Sequence, residues 1–271
     1  VIILEVYYFK RVMLSIYTLF PKLSKQKIRI VKWALILFIN IYPIISILDR
    51  LYRLSGNRFF SIPETLLYDI LILYPFWIGA MIIVQTSIFF ILFEILSLGM
   101  IPFIKDKPKR KNIRAVIFFI IFSLFAIYSP LRIVYDYYSV EIREVVYKKQ
   151  DIPDALNGFK IGFISDVQAD RFTNENRMSN YIEKLNSADP DLVLMAGDII
   201  TNTPDFIDQS ASLLGKIESK YGAFTCVGDH DNWAYRGNMI RSRNAITQAL
   251  ANVNIPMIDN DRLILGVDTS N

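Results

Sequence analysis

Long apolar runs bounded by charge fill the first half of the chain, and short apolar runs bounded by turns fill the second. Ile70 to Phe93 is 24 residues without a formal charge, closed by Asp69 and Glu94. That exceeds the roughly 20 residues needed to cross a hydrocarbon core. Trp33–Leu48 and Ala115–Leu131 run for 16 and 17 uncharged residues. Both reach across if Lys32, Arg114 and Arg132 extend their cationic ends to the interface. Val1–Phe20 is interrupted by Lys10 and Arg11, so it reads as the end of a first span or as an interfacial helix. The pattern predicts an α-helical transmembrane bundle over residues 1–136, with spans near 1–20, 30–48, 66–104 and 114–134. Asp69 and Glu94 fall at span ends and are expected at the interface.

Beyond a charged connector at 137–158, the period changes. Val140 to Val146 alternates apolar and polar positions as a strand would. A strand is then predicted at 159–165, a helix at 175–187, a strand at 191–197 and a helix at 205–218. A strand at 222–227, a helix at 238–251 and two short strands near 255–258 and 262–267 follow. Strands alternating with helices imply right-handed crossovers and a mostly parallel sheet with flanking helices. Asn174 and Thr203-Pro204-Asp205 carry helix-start signals. This α/β domain, residues 159–271, is close to the smallest size that builds its own core, so a sheet with one flank uncovered is expected.

Charge sharpens the division. Residues 1–140 hold 17 Lys/Arg against 7 Asp/Glu, a net of +10, and residues 141–271 hold 13 against 19, a net of −6. The basic residues flank apolar runs instead of striping a soluble face, which points to a lipid bilayer as partner and away from nucleic acid. Two basic clusters, Lys22–Lys32 and Lys105–Arg114, precede spans and belong on the cytoplasmic side. They share a side only if 66–104 crosses once, as a helix kinked near Pro75. The acidic half then lies outside the cytoplasm, giving a multi-pass protein of the cell (inner) membrane. The single Cys226 excludes an internal disulfide and a cysteine-built zinc cluster.

The three strands predicted at 159–165, 191–197 and 222–227 each end in an acidic cluster: Ile164-Ser165-Asp166-Val167-Gln168, Met195-Ala196-Gly197-Asp198 and Val227-Gly228-Asp229-His230-Asp231. In open α/β sheets ligands bind beyond the carboxyl ends of the strands. Carboxylates gathered there repel unless a cation lies among them, so the pattern implies a metal site. Ser165 has no base to activate it as a nucleophile and is read as a local contact.

These three motifs, in this order on consecutive strands, resemble the calcineurin-like metallophosphoesterases, and more narrowly their membrane-anchored bacterial branch. The lead-in Ile152-Pro153-Asp154-Ala155-Leu156-Asn157-Gly158-Phe159-Lys160-Ile161 is similar to the segment before the first motif in that branch. The resemblance covers about residues 140–271. It implies a partial metallophosphoesterase-type domain and two divalent metal ions (Mn, Mg, Fe or Zn). Asp166 and Gln168 would bind the first metal, Asp198 would bridge both, and Asp229 would bind the second. His230 would contact the phosphate or protonate the leaving group, and Asp231 is placed with it, bracing the loop or orienting its ring. Asn202 is a candidate substrate contact. Trp233, Tyr235 and Arg236 are expected near the pocket entrance, and Arg241 and Arg243 on a solvated helix face.

Two positions depart from the family pattern. Gln168 stands where the family has His, and Asp229 where it has Asn. Both swaps favour oxygen-seeking ions such as Mn²⁺ or Mg²⁺ over zinc. His230 is the chain's single histidine, so the family's distal histidines are absent, and the expectation is a domain truncated in its C-terminal half. The function implied is a membrane-anchored, metal-dependent phosphoesterase acting by attack of a metal-bound hydroxide. Its substrate would be a phosphorylated small molecule or a lipid-linked phosphoester or pyrophosphate. The alternative is a catalytically degenerate membrane protein that binds or senses a phosphorylated ligand. A transporter is disfavoured, because the clearest span carries no charge at its centre.

Overall fold

The computed structural model describes residues 2–54, 65–99 and 101–267. Residue 100, within the predicted 66–104 span, and residues 268–271 lie outside the described residues. The chain divides into two compact units, Val1–Tyr137 and Tyr138–Asn271.

The first unit is helical: α1 (Ile2–Leu19), α2 (Lys25–Leu54), α3 (Leu66–Leu98) and α4 (Lys107–Tyr138). By length and composition α2, α3 and α4 are apolar enough to cross a membrane, whereas α1 is not among the helices that qualify. Their order in space follows from side-chain pairs. Ile39 lies against Gly79 and Tyr42 against Phe76, while Phe89 lies against Phe125 and Phe93 against Phe118, so α3 runs antiparallel to both α2 and α4. The starts of α2 and α4 therefore lie at the same end of the bundle, and the two basic clusters share a side. Within region 66–104 the described residues form one long helix, Leu66–Leu98, apolar enough to cross a membrane once.

Pro75 has no N–H and its ring crowds the carbonyl one turn back. The helix absorbs this with a wide π turn at Asp69–Leu73, in which the Tyr74 N–H donates to Asp69 O. Asp69 and Glu94, expected at the interface by their place at the span ends, also have surroundings within the bundle. Asp69 is buried, 4% exposed, and Glu94 forms an ion pair with Arg11 of α1. A carboxylate packed between apolar helices is held by such partners. Glu5, also buried, accepts a hydrogen bond from Asn40 Nδ2 at 2.8 Å.

The second unit carries a three-stranded parallel sheet in the order β1 (Ile161–Ile164), β2 (Leu192–Met195), β3 (Ala223–Thr225). Three helices alternate with the strands: α5 (Glu175–Ser187), α6 (Ile207–Leu214) and α7 (Met239–Ala251). Asn174 starts α5 by accepting the Arg177 N–H on Oδ1, and Thr203 starts the 3₁₀ turn Pro204–Phe206 that leads into α6. The core gathers Val193 and Met195 of β2 with Met178, Leu214, Ile246 and Leu250 of the helices. β1 turns Ile161 and Phe163 outward, 56% and 67% exposed.

Three sequence expectations fail here. Helix α6 ends at Leu214 instead of 218, because the chain turns at Gly215, where Val253 approaches too closely for a side chain. The predicted strands at 255–258 and 262–267 reduce to one isolated bridge, Thr225 to Met257. The alternating segment at 140–146 forms no ladder among the described residues. Alternation places side chains on two faces, but a strand also needs a neighbouring backbone to bond.

One buried carboxylate ties the sheet's loops together. Asp231, 0% exposed, accepts the Ile199 N–H on Oδ1 at 2.8 Å and the N–H groups of Asp198 and Gly228 on Oδ2 at 3.0 and 2.9 Å. Burial, above all, lifts its carboxyl above the ordinary range, and the neighbouring Asp198 carboxylate adds to this, while the three N–H groups pull it back. Because the shift is upward, the folded form takes up this proton at a higher pH than the unfolded chain. The ionisation penalty is therefore relieved, not imposed, as pH falls through the folded value. Replacing Asp231 with Ala strands three N–H groups and should destabilise the second unit by about 3 kcal/mol or more, read as an earlier denaturant midpoint for the full chain in detergent. An unchanged midpoint would show that the clamp contributes nothing.

Candidate metal centre

Strand register brings the three motifs level. Ile164 pairs with Met195 and Met195 with Thr225, so one row crosses the sheet at the carboxyl ends of all three strands. Ala196 N–H donates to Ile164 O and Cys226 N–H to Met195 O, which extends the ladder one step. Asp166, Asp198 and Asp229 follow within a few residues of that row, on three adjacent loops.

The backbone of these loops is turned. Asp166, Gln168 and Asp198 have φ of 54°, 45° and 54°, in the left-handed region that costs non-glycine residues about 1–2 kcal/mol each. Aspartate tolerates it better than most, and three such residues in adjacent loops mark a site where geometry outweighs local comfort. Glycines make the turns possible. A Cβ on Gly197 would collide with the Gly228 backbone, and one on Gly228 with the Asp198 carboxylate. The two Gly-Asp turns pack directly on each other, so both must begin with glycine.

Asp198, Asp229 and His230 each offer a ligand atom within 4.8 Å of the others. Asp198 is 8% exposed, His230 half-buried and Asp229 exposed, so the cluster opens from a buried floor to the surface. Asp198 Oδ1 accepts the His230 backbone N–H at 2.9 Å, which leaves Oδ2 for a ligand. His230 Nδ1 lies 2.6 Å from the carbonyl oxygen of Thr201. A carbonyl only accepts, so Nδ1 carries the proton and Nε2 is the ring atom left for chemistry. Trp233 stands 4.4 Å from the imidazole, ring centre to ring centre, and limits its rotation. Two carboxylates and one imidazole, one of them buried and all converging, fit a divalent cation.

The sequence-predicted residues divide into those that converge and those that stand nearby. Asp166 is exposed at the end of β1 and is not among the three that converge within 4.8 Å. Gln168 reaches the site through its backbone: its N–H donates to Asp198 O at 2.8 Å, and its carbonyl accepts Thr201 Oγ1 at 3.0 Å. Asp231 lies beneath, its oxygens turned to backbone N–H groups. Asn202 is exposed beside Thr201. Tyr235 supports the Arg241 guanidinium 4.0 Å from its ring centre, and Arg236 is exposed.

Arg243 keeps a solvated side chain, 42% exposed, but is also engaged. Its Nε donates to Asn232 Oδ1 at 2.6 Å, and its guanidinium lies 3.7 Å from Asp259. Asn232 Nδ2 in turn donates to the carbonyls of Gly228 and Asp229, so α7 braces the third motif loop. Thr201 and Asp170 were missed by sequence reasoning. Thr201 orients His230 through its carbonyl and donates its hydroxyl to Asp170 Oδ2 at 3.0 Å. Asp170 Oδ1 accepts the N–H groups of Phe172 and Thr173. The signal available was the Asp170-x-x-Thr173 spacing of an Asx turn; nothing in the sequence pointed to Thr201.

Residues 159–263 match the calcineurin-like phosphoesterase family. An uncharacterised metallophosphoesterase of Campylobacter jejuni is 27% identical over 129 residues, 47% of this chain and 33% of that protein. One of Bacillus subtilis is 34% identical over 99 residues, 35% of this chain and 34% of its own length. A transmembrane protein with a metallophosphoesterase domain from Danio rerio is 23% identical over 91 residues, 34% of this chain and 21% of its own. The chain thus spans about a third or less of the relatives it matches. No solved structure is significantly similar to it. The level strand ends, the paired Gly-Asp turns and the converging donors all lie within residues 159–263, the segment that matches the calcineurin-like phosphoesterase family.

Proposed function

We propose that this protein is a membrane-anchored, divalent-metal-dependent phosphoesterase of the cell (inner) membrane, with its catalytic domain on the extracytoplasmic side. The convergence of Asp198, Asp229 and His230 within 4.8 Å, at the carboxyl ends of a parallel sheet, carries the reading. The phosphoesterase domain supports the reaction class, and three apolar helices support the anchor. The shared end of the two basic clusters supports the orientation, since such clusters stay in the cytoplasm.

A pair of divalent ions, once bound, would supply Lewis acidity toward phosphoryl oxygens and lower the pKa of a water molecule. The chain's own residues do the rest. Asp198, with Oδ1 fixed by the His230 N–H, presents Oδ2 from a site nearly closed to solvent. Asp229 adds a second carboxylate from the exposed rim, and the loop after β1 joins the site through the Gln168 N–H, which donates to Asp198 O. His230, oriented by Thr201 and Trp233, offers Nε2; in its protonated form it donates a hydrogen bond to a phosphoryl oxygen or a proton to the departing alkoxide. Attachment to the bilayer favours a lipid-linked phosphoester or pyrophosphate, or a phosphorylated small molecule met at the membrane surface.

Gln168, a neutral amide where the family carries imidazole, favours a second reading in which the domain binds a phosphorylated ligand without hydrolysing it. Turnover separates the two.

Full-length protein supplied with Mn²⁺ should release nitrophenol from bis-nitrophenyl phosphate, and a chelator should abolish this until metal is restored. Asp198→Asn should lower the rate by about a thousandfold or more while leaving the fold intact by circular dichroism. Metal-dependent ligand binding without turnover, with Mn²⁺, Mg²⁺, Fe²⁺ or Zn²⁺, would favour the second reading. His230→Gln should cost about 10²–10⁴ in kcat, with less effect on a substrate whose leaving group needs no proton. A reporter active only in the cytoplasm, fused after Tyr138, should stay silent; activity there would reverse the orientation.

A further inference from the structure

A cleft of about 380 Å³ opens between α1, α2 and α3, well away from the phosphoesterase motifs in sequence. Val12 and Ile16 of α1, Val31 and Leu35 of α2, and Gly79 and Ile83 of α3 form its apolar walls. Two cations, Lys27 and Lys32, break this lining, and no acidic residue contributes to it. Along α2 the cleft extends from Lys27 to Ile39, about 18 Å at the helical rise of 1.5 Å per residue. Its far end closes where Ile39 packs on Gly79; a Cβ there would meet the Ile39 side chain at 3.1 Å.

The charged end is defined independently. Lys22, Lys25, Lys27, Arg29 and Lys32 form a run of five cations without an intervening acid. The Lys32 ammonium rests 4.1 Å from the centre of the Trp33 ring, and Trp33 is 58% exposed. Tryptophan beside lysine at a helix end is the arrangement that holds a segment at the headgroup level. One end of the cleft is therefore cationic and interfacial, and the rest is long, narrow and apolar.

We propose that this cleft binds one anionic phospholipid, its phosphate paired with Lys27 and Lys32 and one acyl chain lying between α1 and α2. A zwitterionic lipid offers the same chain but carries its own cation beside the phosphate, so it gains less from two lysines. The inference rests on the reading of these helices as bilayer-embedded and is independent of the metal centre.

The test is native mass spectrometry of the full chain in detergent, titrated with phosphatidylglycerol or phosphatidylcholine. Phosphatidylglycerol should bind about tenfold more tightly, since each lysine near an anionic headgroup is worth about 1 kcal/mol, roughly fivefold, and the zwitterionic lipid keeps part of that gain. The pair Lys27→Gln and Lys32→Gln should erase that preference, and Leu35→Trp, which fills the cleft and leaves both lysines, should weaken phosphatidylglycerol binding by a similar factor. Soluble glycerol phosphate should not compete. Equal binding of the two lipids, or a preference untouched by the glutamine pair, would overturn the proposal. Unchanged binding to folded Leu35→Trp would do the same, by reducing the effect to a charged surface. Carbonate extraction of cell membranes reports separately on the bilayer reading: release of the chain would sink that reading, and retention without lipid preference would sink this one alone.

Discussion

A single buried carboxylate holds the phosphoesterase domain's working end together. Asp231 gathers N–H groups from the loop after β2 and from the loop after β3, groups that would otherwise be stranded where the two Gly-Asp turns meet. Sheet hydrogen bonds align the strands only as far as their ends. Beyond that row, the convergence of Asp198, Asp229 and His230 depends on side chains that bind backbone across loops. Asp231 joins two loops, Arg243 and Asn232 brace one of them from α7, and Thr201 fixes the imidazole. The ordering of the loops is costly, because their carboxylates repel and part of their backbone is left-handed. A divalent cation would offset both costs, so the same architecture that strains the free domain prepares it for metal.

Much of this was legible in the sequence because local and global signals agree. The motifs sit at the ends of short apolar runs, and parallel pairing in register makes such ends neighbours. Helix α5 was placed at its observed bounds because Asn174 caps it and its apolar positions recur at helical spacing. What stayed hidden depends on a partner distant in the chain. Arg243 looks like any cation on a helix until Asn232 lies beside it. Thr201 acts through its carbonyl, which every residue possesses. Asp231 was recognised as important, but only coordinates separate an acid aimed at a ligand from one aimed at three N–H groups. The 255–267 region failed because its apolar alternation met a single bridging residue instead of a strand.

In the helical unit, composition located the apolar helices, and charge placement set their order, since α2, α3 and α4 alternate in direction. Burial was less readable. Asp69 and Glu94 bound an uncharged run and so read as interfacial, yet one is buried and the other pairs with Arg11. A run's edge marks where charge begins; it does not say whether that charge faces water or a neighbouring helix.

The central claim is that Asp198, Asp229 and His230 share a divalent cation. Anomalous diffraction from crystals of the full chain grown with Mn²⁺ tests it most directly. The account predicts a manganese peak roughly 2.0–2.3 Å from an oxygen of Asp198 and an oxygen of Asp229, with His230 Nε2 bound to it or facing it. Manganese bound elsewhere, with these three side chains unliganded at saturating metal, would contradict it.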